Sequence, residues 1–181
     1  MLKKIFFSLF TILLIILIIF SVQVNSFTNG NPPGCTGSPS DKMNCATNCH
    51  NGSIIKTEIG WITSNIPETG YIPDSVYTIT CTAKGEATSE KFGFEASPQF
   101  TTGKLAGKMI LINTNETKLV GSGKYITQIA AGVTSLGSKT WSFKWIAPVK
   151  GSGDLSFYAA FLIGGKPQTA VTSSLEIKEI K

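Results

Sequence analysis

The sequence predicts an all-β fold, an immunoglobulin-like β-sandwich of about 7–9 strands, and two observations carry that prediction. From Ile54 onward, short runs rich in Ile, Thr, Phe, Tyr and Trp are broken by Gly, Pro, Asn and Ser at intervals of roughly 8–12 residues, which is the spacing of strands and turns. Within the runs the side chains alternate. Val76, Thr78 and Thr80 oppose Tyr77, Ile79 and Cys81, and Trp141, Phe143 and Trp145 oppose Ser142 and Lys144. After the leader, no stretch sustains the 3.6-residue apolar period of a helix.

Taken in order, residues 1–26 read as a signal peptide or N-terminal membrane anchor. A basic start at Lys3 and Lys4 precedes an apolar run from Ile5 to Val22, and compact residues Val24-Asn25-Ser26 follow. The run is long enough to approach a minimal membrane span, so membrane attachment through an uncleaved segment is the alternative to export and release. Either route places the rest outside the cytoplasm: periplasmic, at the cell surface or secreted. Residues 27–53 are rich in Pro, Gly and Cys, almost free of aliphatic side chains, and unable to build a core of their own. Residues 54–181 form the sandwich, with strands expected at 54–63, 75–84, 90–97, 105–113, 124–131, 139–146, 154–163 and 170–179. Trp141 and Trp145 read as core residues rather than as a ligand platform.

Composition narrows the function. The chain has 181 residues, a formal net charge of +5 and 15% charged residues, an ordinary globular balance. Every cation is lysine, and the lysines are scattered (Lys56, Lys84, Lys104, Lys124, Lys144). Without arginine forks or a basic stripe, no nucleic-acid partner is expected. A hydrolase is disfavoured as well. There is one histidine, no nucleophile elbow or phosphate loop follows a strand, and Glu86 with Glu90 reads as a solvated turn. Asn51-Gly52-Ser53 and Asn115-Glu116-Thr117 fit glycosylation sequons.

The informative segment is Cys45-Ala46-Thr47-Asn48-Cys49-His50, a Cys-x-x-x-Cys-His peptide. The c-type haem attachment motif is Cys-x-x-Cys-His, in which two thiols form thioethers with the porphyrin and the adjoining imidazole binds iron. One extra residue separates the thiols here, which makes the loop bulge. On that reading Cys45 and Cys49 attach haem c and His50 is the proximal iron ligand. Two other readings stand beside it: a disulfide framework, in which four cysteines allow three pairings, and zinc held by Cys35, Cys45, Cys49 and His50.

Asn31-Pro32-Pro33-Gly34, Thr36-Gly37-Ser38-Pro39 and the Cys/His peptide together resemble the N-terminus of a bacterial exported family called choice-of-anchor V, related to the reeler (reelin N-terminal) domain. Tyr71-Ile72-Pro73, Tyr77-Thr78-Ile79, Phe92-Gly93-Phe94, Tyr125-Ile126-Thr127, the block Trp141 to Pro148, and Phe157-Tyr158-Ala159-Ala160 extend the likeness over about residues 30–165. The resemblance implies an immunoglobulin-like sandwich outside the cell with a haem-attachment-like peptide before its first strand. The family spaces its two cysteines by two residues, and its members often carry a histidine after Tyr-x-Thr where this chain has Gln128. Cys35 and Cys81 stand outside the family pattern, which implies one disulfide between them tying the N-terminal peptide to the sandwich.

Two functions are therefore expected. The first is an exported haem-binding protein for electron transfer or haem-based ligand binding, working with a redox partner protein, with Met109, a lysine, water or nothing in the distal position. The second is a disulfide-stabilised, non-enzymatic surface binding or adhesion module that meets a surface ligand.

Overall fold

The computed structural model describes residues 29–47, 49–165 and 167–180, so the expected leader lies outside the described residues. The chain folds as a two-sheet, immunoglobulin-like β-sandwich. Its strands are β1 (Ile54–Thr57), β2 (Ile62–Ser64), β3 (Val76–Lys84), β4 (Phe92–Gln99), β5 (Lys108–Leu111), β6 (Thr117–Val120), β7 (Tyr125–Gln128), β8 (Ser138–Ile146), β9 (Leu155–Ile163) and β10 (Thr169–Ile177). The six-stranded sheet runs β1-β10-β9-β4-β7-β6, and the four-stranded sheet runs β2-β3-β8-β5. All pairings between these strands are antiparallel except that of β1 with β10.

The alternating faces meet between the sheets. Phe94 stacks on Trp141 at 4.3 Å between ring centroids, and Trp145 meets Phe157 edge-on at 5.1 Å and Tyr71 at 5.6 Å. Both indoles find acceptors, Trp141 on Gly132 O and Trp145 on Ala106 O, so these tryptophans are buried without an orphaned N–H. They are core residues, as their alternation predicts.

The expected strand at 54–63 is two strands in different sheets. Ile54–Thr57 joins β10 and Ile62–Ser64 joins β3, with Gly60 at φ +78 turning the chain between them. The expected strand at 124–131 stops at Gln128 and passes into a short 3₁₀ turn, Ala130–Gly132. Strand β6 was not expected from the sequence at all. Its four residues on the sheet edge give too little alternation to read.

Strand β4 is buried on both faces. Phe92, Phe94 and Ala96 point into the sandwich, whereas Glu95, Ser97 and Gln99 point to the other side and are nonetheless almost fully covered. Residues 29–53 supply the cover. This N-terminal strap crosses the outer face of the six-stranded sheet, touching β7, β4, β9 and β10, and it adds a small apolar cluster of Cys45 and Ala46 on Ala160 and Ala170.

Truncating the ring that joins the two sheets tests this packing. Phe94→Ala should cost about 3–5 kcal/mol of stability, read as a fall in the urea midpoint by tryptophan fluorescence, because it removes the stack on Trp141 and leaves a cavity. A loss below about 1 kcal/mol would contradict the core as described.

Candidate functional site

The strap has no regular structure, so its backbone must find partners on the sheet. Gly34 N and Cys35 N both donate to Glu95 Oε1 on β4, at 2.8 and 2.7 Å. Asn31 N donates to Thr127 Oγ1 on β7 at 3.2 Å. Asp41 gathers the next turn: it accepts from Thr36 Oγ1 at 2.5 Å, from Tyr125 OH at 2.7 Å and from Gln99 Nε2 at 3.2 Å, with Lys124 Nζ 3.6 Å away. Gly37 runs so close to β10 that a Cβ there would stand 2.6 Å from Thr172 Cγ2, and its φ of +76 suits glycine alone.

The two carboxylates respond oppositely to this setting. Burial pushes Glu95 up to about 7, against the two backbone N–H groups that favour its charge, and the neighbouring Asp41 adds to the rise. Its Oε2 is buried with no hydrogen-bond partner among the described residues. Burial works against the charge of Asp41 too, but the hydrogen bonds from Thr36, Tyr125 and Gln99, with Lys124 nearby, hold it below the usual range.

The Cys/His peptide follows as a tight turn. Ala46 N donates to Asn44 Oδ1, Asn44 N to Thr47 Oγ1, and Thr47 N to Asn44 O. The turn aims Cys45 at the sheet, where it is 5% exposed, while Cys49 is exposed. Burial, with Cys35 and Glu95 nearby, pushes the Cys45 thiol up to about 12. His50 closes the peptide. Its Nδ1 lies 2.9 Å from Gln168 Oε1, just before β10, and with that oxygen accepting, Nδ1 carries the proton and Nε2 is the basic nitrogen.

His50 borders a cleft of about 310 Å3 at the end of β4 and β9, with Phe92, Gly93, Val133 and Leu162 in its walls and Asn31, Lys91, Gln128 and Gln168 on its rim. Strand β7 opens it. That strand is paired with β4 only at Glu95–Thr127 and Ala96–Ile126; beyond, Gln128 Oε1 accepts from Phe94 N at 2.7 Å and Thr127 Oγ1 donates to Phe94 O at 2.8 Å. Side chains thus replace the ladder beside Gly93, which has no side chain to fill the gap. Gln128 lines the same cleft as His50.

Three sequence expectations are corrected. Cys35 lies on the outer side of the six-stranded sheet, bound to Glu95, whereas Cys81 on β3 is wholly buried among the core residues between the sheets, so a Cys35–Cys81 bridge would have to pass through the sheet. All four cysteines are unbridged. Met109, expected as the distal ligand, is 2% exposed on β5 beside Trp145, in the sheet opposite to the one that carries the His50 cleft. Nor do three or more His, Cys, Asp or Glu side chains converge as a metal site among the described residues, which leaves zinc on Cys35, Cys45, Cys49 and His50 without its ligand set.

A covalent haem needs both thiols at one porphyrin edge with the imidazole facing iron. His50 meets its part, because its Nδ1 is anchored and Nε2 is left as the basic nitrogen. The thiols do not. Cys45 is packed on Ala160 and Ala170, Cys49 faces out, and neither lines the cleft, so the folded arrangement does not fit the group.

No protein-family model and no curated protein matches the chain. Among solved structures it is similar to the Reelin-N domain of F-spondin, with a TM-score of 0.53 and 17% identity over 70% of this chain and 91% of that one. It is similar also to the human F-spondin reeler domain, with a TM-score of 0.51 and 17% identity over 70% and 94% of the two chains. The fold is reeler-like.

Glu95 makes stability depend on pH in a defined direction. Because its folded value lies above its unfolded value, the folded chain holds the proton more tightly; the gain is present below about pH 4.5 and is lost as pH rises through about 7. Urea unfolding should therefore show stability falling by on the order of 1–3 kcal/mol across this window, and Glu95→Gln should flatten the profile. A flat wild-type profile would contradict the burial of this carboxyl.

Proposed function

We propose that the chain is an exported, non-enzymatic surface binding module whose ligand site is the cleft between the strap and the end of β4. One observation carries the reading: a cleft with apolar walls of Phe92, Val133 and Leu162 is rimmed by His50, Lys91, Gln128 and Gln168, groups that donate and accept hydrogen bonds but form no nucleophile and base pair. The likeness in fold to reeler domains and the apolar leader support a binding module outside the cytoplasm. Such a cleft suits a small ligand with an apolar body and an anionic or amide head, the head meeting Lys91 and His50 and the body lying over Gly93 and Leu162.

8-Anilinonaphthalene-1-sulfonate has that chemistry and serves as the probe. Its fluorescence should rise with the native protein, and Gly93→Leu, whose Cβ would stand 3.4 Å from Gln128 Nε2, should weaken binding about tenfold or more while leaving the far-ultraviolet circular dichroism unchanged. Unaltered binding to a folded Gly93→Leu variant would reject the cleft as the site.

Covalent haem on Cys45, Cys49 and His50, for electron transfer or haem-based ligand binding, is the second reading, and the anchored imidazole at the cleft is what favours it. It requires Cys45 to leave its seat on Ala160 and Ala170. Protein made with a cytochrome maturation system should then hold a Soret band after acid acetone extraction. A colourless product sinks it.

A further inference from the structure

We infer that Cys35 and Cys45, free thiols in this structure, form a disulfide on oxidation that closes the strap on itself and holds it against the six-stranded sheet. The register of the strap carries the inference. Gly37 N donates to Met43 O at 2.7 Å, which sets the two arms of the turn antiparallel, and Cys35 and Cys45 each lie two residues further out along those arms. The sheet beneath holds them in the same relation. Cys35 N is bound to Glu95 Oε1, Cys45 packs on Ala160, and Glu95 and Ala160 are direct cross-strand partners on β4 and β9. The β-carbons of such partners stand about 4.5–5.5 Å apart, so groups seated on them are neighbours. Both cysteines are buried, and after burial itself Cys35 is the largest influence on the Cys45 thiol. Of the other pairings, Cys81 is inside the sandwich, and Cys49, although close enough to influence both thiols, is exposed where Cys35 and Cys45 are buried.

The chemistry is an exchange with an external disulfide. Two S–H bonds break, one S–S bond forms, two protons leave, and the two electrons reduce the oxidant's disulfide to two thiols. Burial holds Cys35 at about 11 and Cys45 at about 12, so thiolate is scarce once the strap is seated. Oxidation is therefore slow once the strap is seated, and a bridge formed there is shielded from reductants. It is independent of ligand binding in the cleft, and it excludes a thioether at Cys45.

The test uses the full chain refolded with oxidised glutathione, blocked with iodoacetamide and digested with trypsin without reduction. The peptide ending at Lys42 should be joined to Met43–Lys56, and fragment ions should assign the link to Cys45, with Cys49 alkylated. The joined pair should persist in Cys49→Ser and vanish in Cys45→Ser. Should Cys45→Ser misfold, the wild-type fragment ions decide. Cys35 found alkylated, Cys35 joined to Thr57–Lys84 through Cys81, a link through Cys49, or a haem-bearing Cys45 would each overturn the inference. Because the probe test of the cleft varies Gly93 and no cysteine, failure of one leaves the other standing.

Discussion

The hydrogen bonds from Gly34 N and Cys35 N to Glu95 Oε1 are the contact on which the rest of the site depends. A carboxylate in the middle of a sheet, 0% exposed, is an expensive residue unless something satisfies it. A strap without helix or strand has the complementary difficulty, since its amides need acceptors. Each partly offsets the other: the two N–H groups satisfy Oε1, while Oε2 stays without a partner among the described residues. Asp41 completes the arrangement from the strap side by reaching Gln99 and Tyr125 on the sheet. Strap and sheet are thus joined by polar groups at the centre and by Cys45 and Ala46 at one flank.

From that anchorage the position of His50 follows. The strap leaves the sheet at the Asn44 to Thr47 turn and returns as β1, which pairs with β10 from Ile54 opposite Thr169. Gln168, immediately before β10, then stands within reach of the imidazole at 2.9 Å. The cleft beside it exists because β7 departs from β4 after two paired residues, and the departing edge is satisfied by Gln128 and Thr127 side chains instead of backbone. The cleft therefore arises where ladder bonding ends without leaving the Phe94 amide orphaned.

How much of this is legible in the sequence depends on how far each property reaches. Strands β3, β8 and β9 are long, and their side chains alternate over nine residues each, so period two alone finds them. Periodicity does not say which sheet a strand joins, and so it merges β1 and β2 although the chain changes sheets between them. The same limit hides Glu95. Along β4, the alternation of Phe92, Phe94 and Ala96 with Gly93, Glu95 and Ser97 reads as one core face and one solvent face, because nothing local says that a strap from some 50 residues upstream will cover the second. The burial of Asp41, Gln99 and Tyr125 escapes for this reason, whereas His50 and Gln128 are singled out by motif and resemblance.

The Cys/His peptide shows where a motif stops being informative. A hexapeptide fixes which groups are close in sequence, but not which way each one faces. Here the turn stabilised by Asn44 and Thr47 buries Cys45 against the sheet, while Cys49 is exposed. A thiol buried on the sheet is not open to a planar group, yet it is well placed to meet another buried thiol on the same strap. Cys35, held on Glu95 beside the alanine that seats Cys45, is that thiol. The chemistry of the segment is therefore decided by the sheet beneath it as well as by the motif.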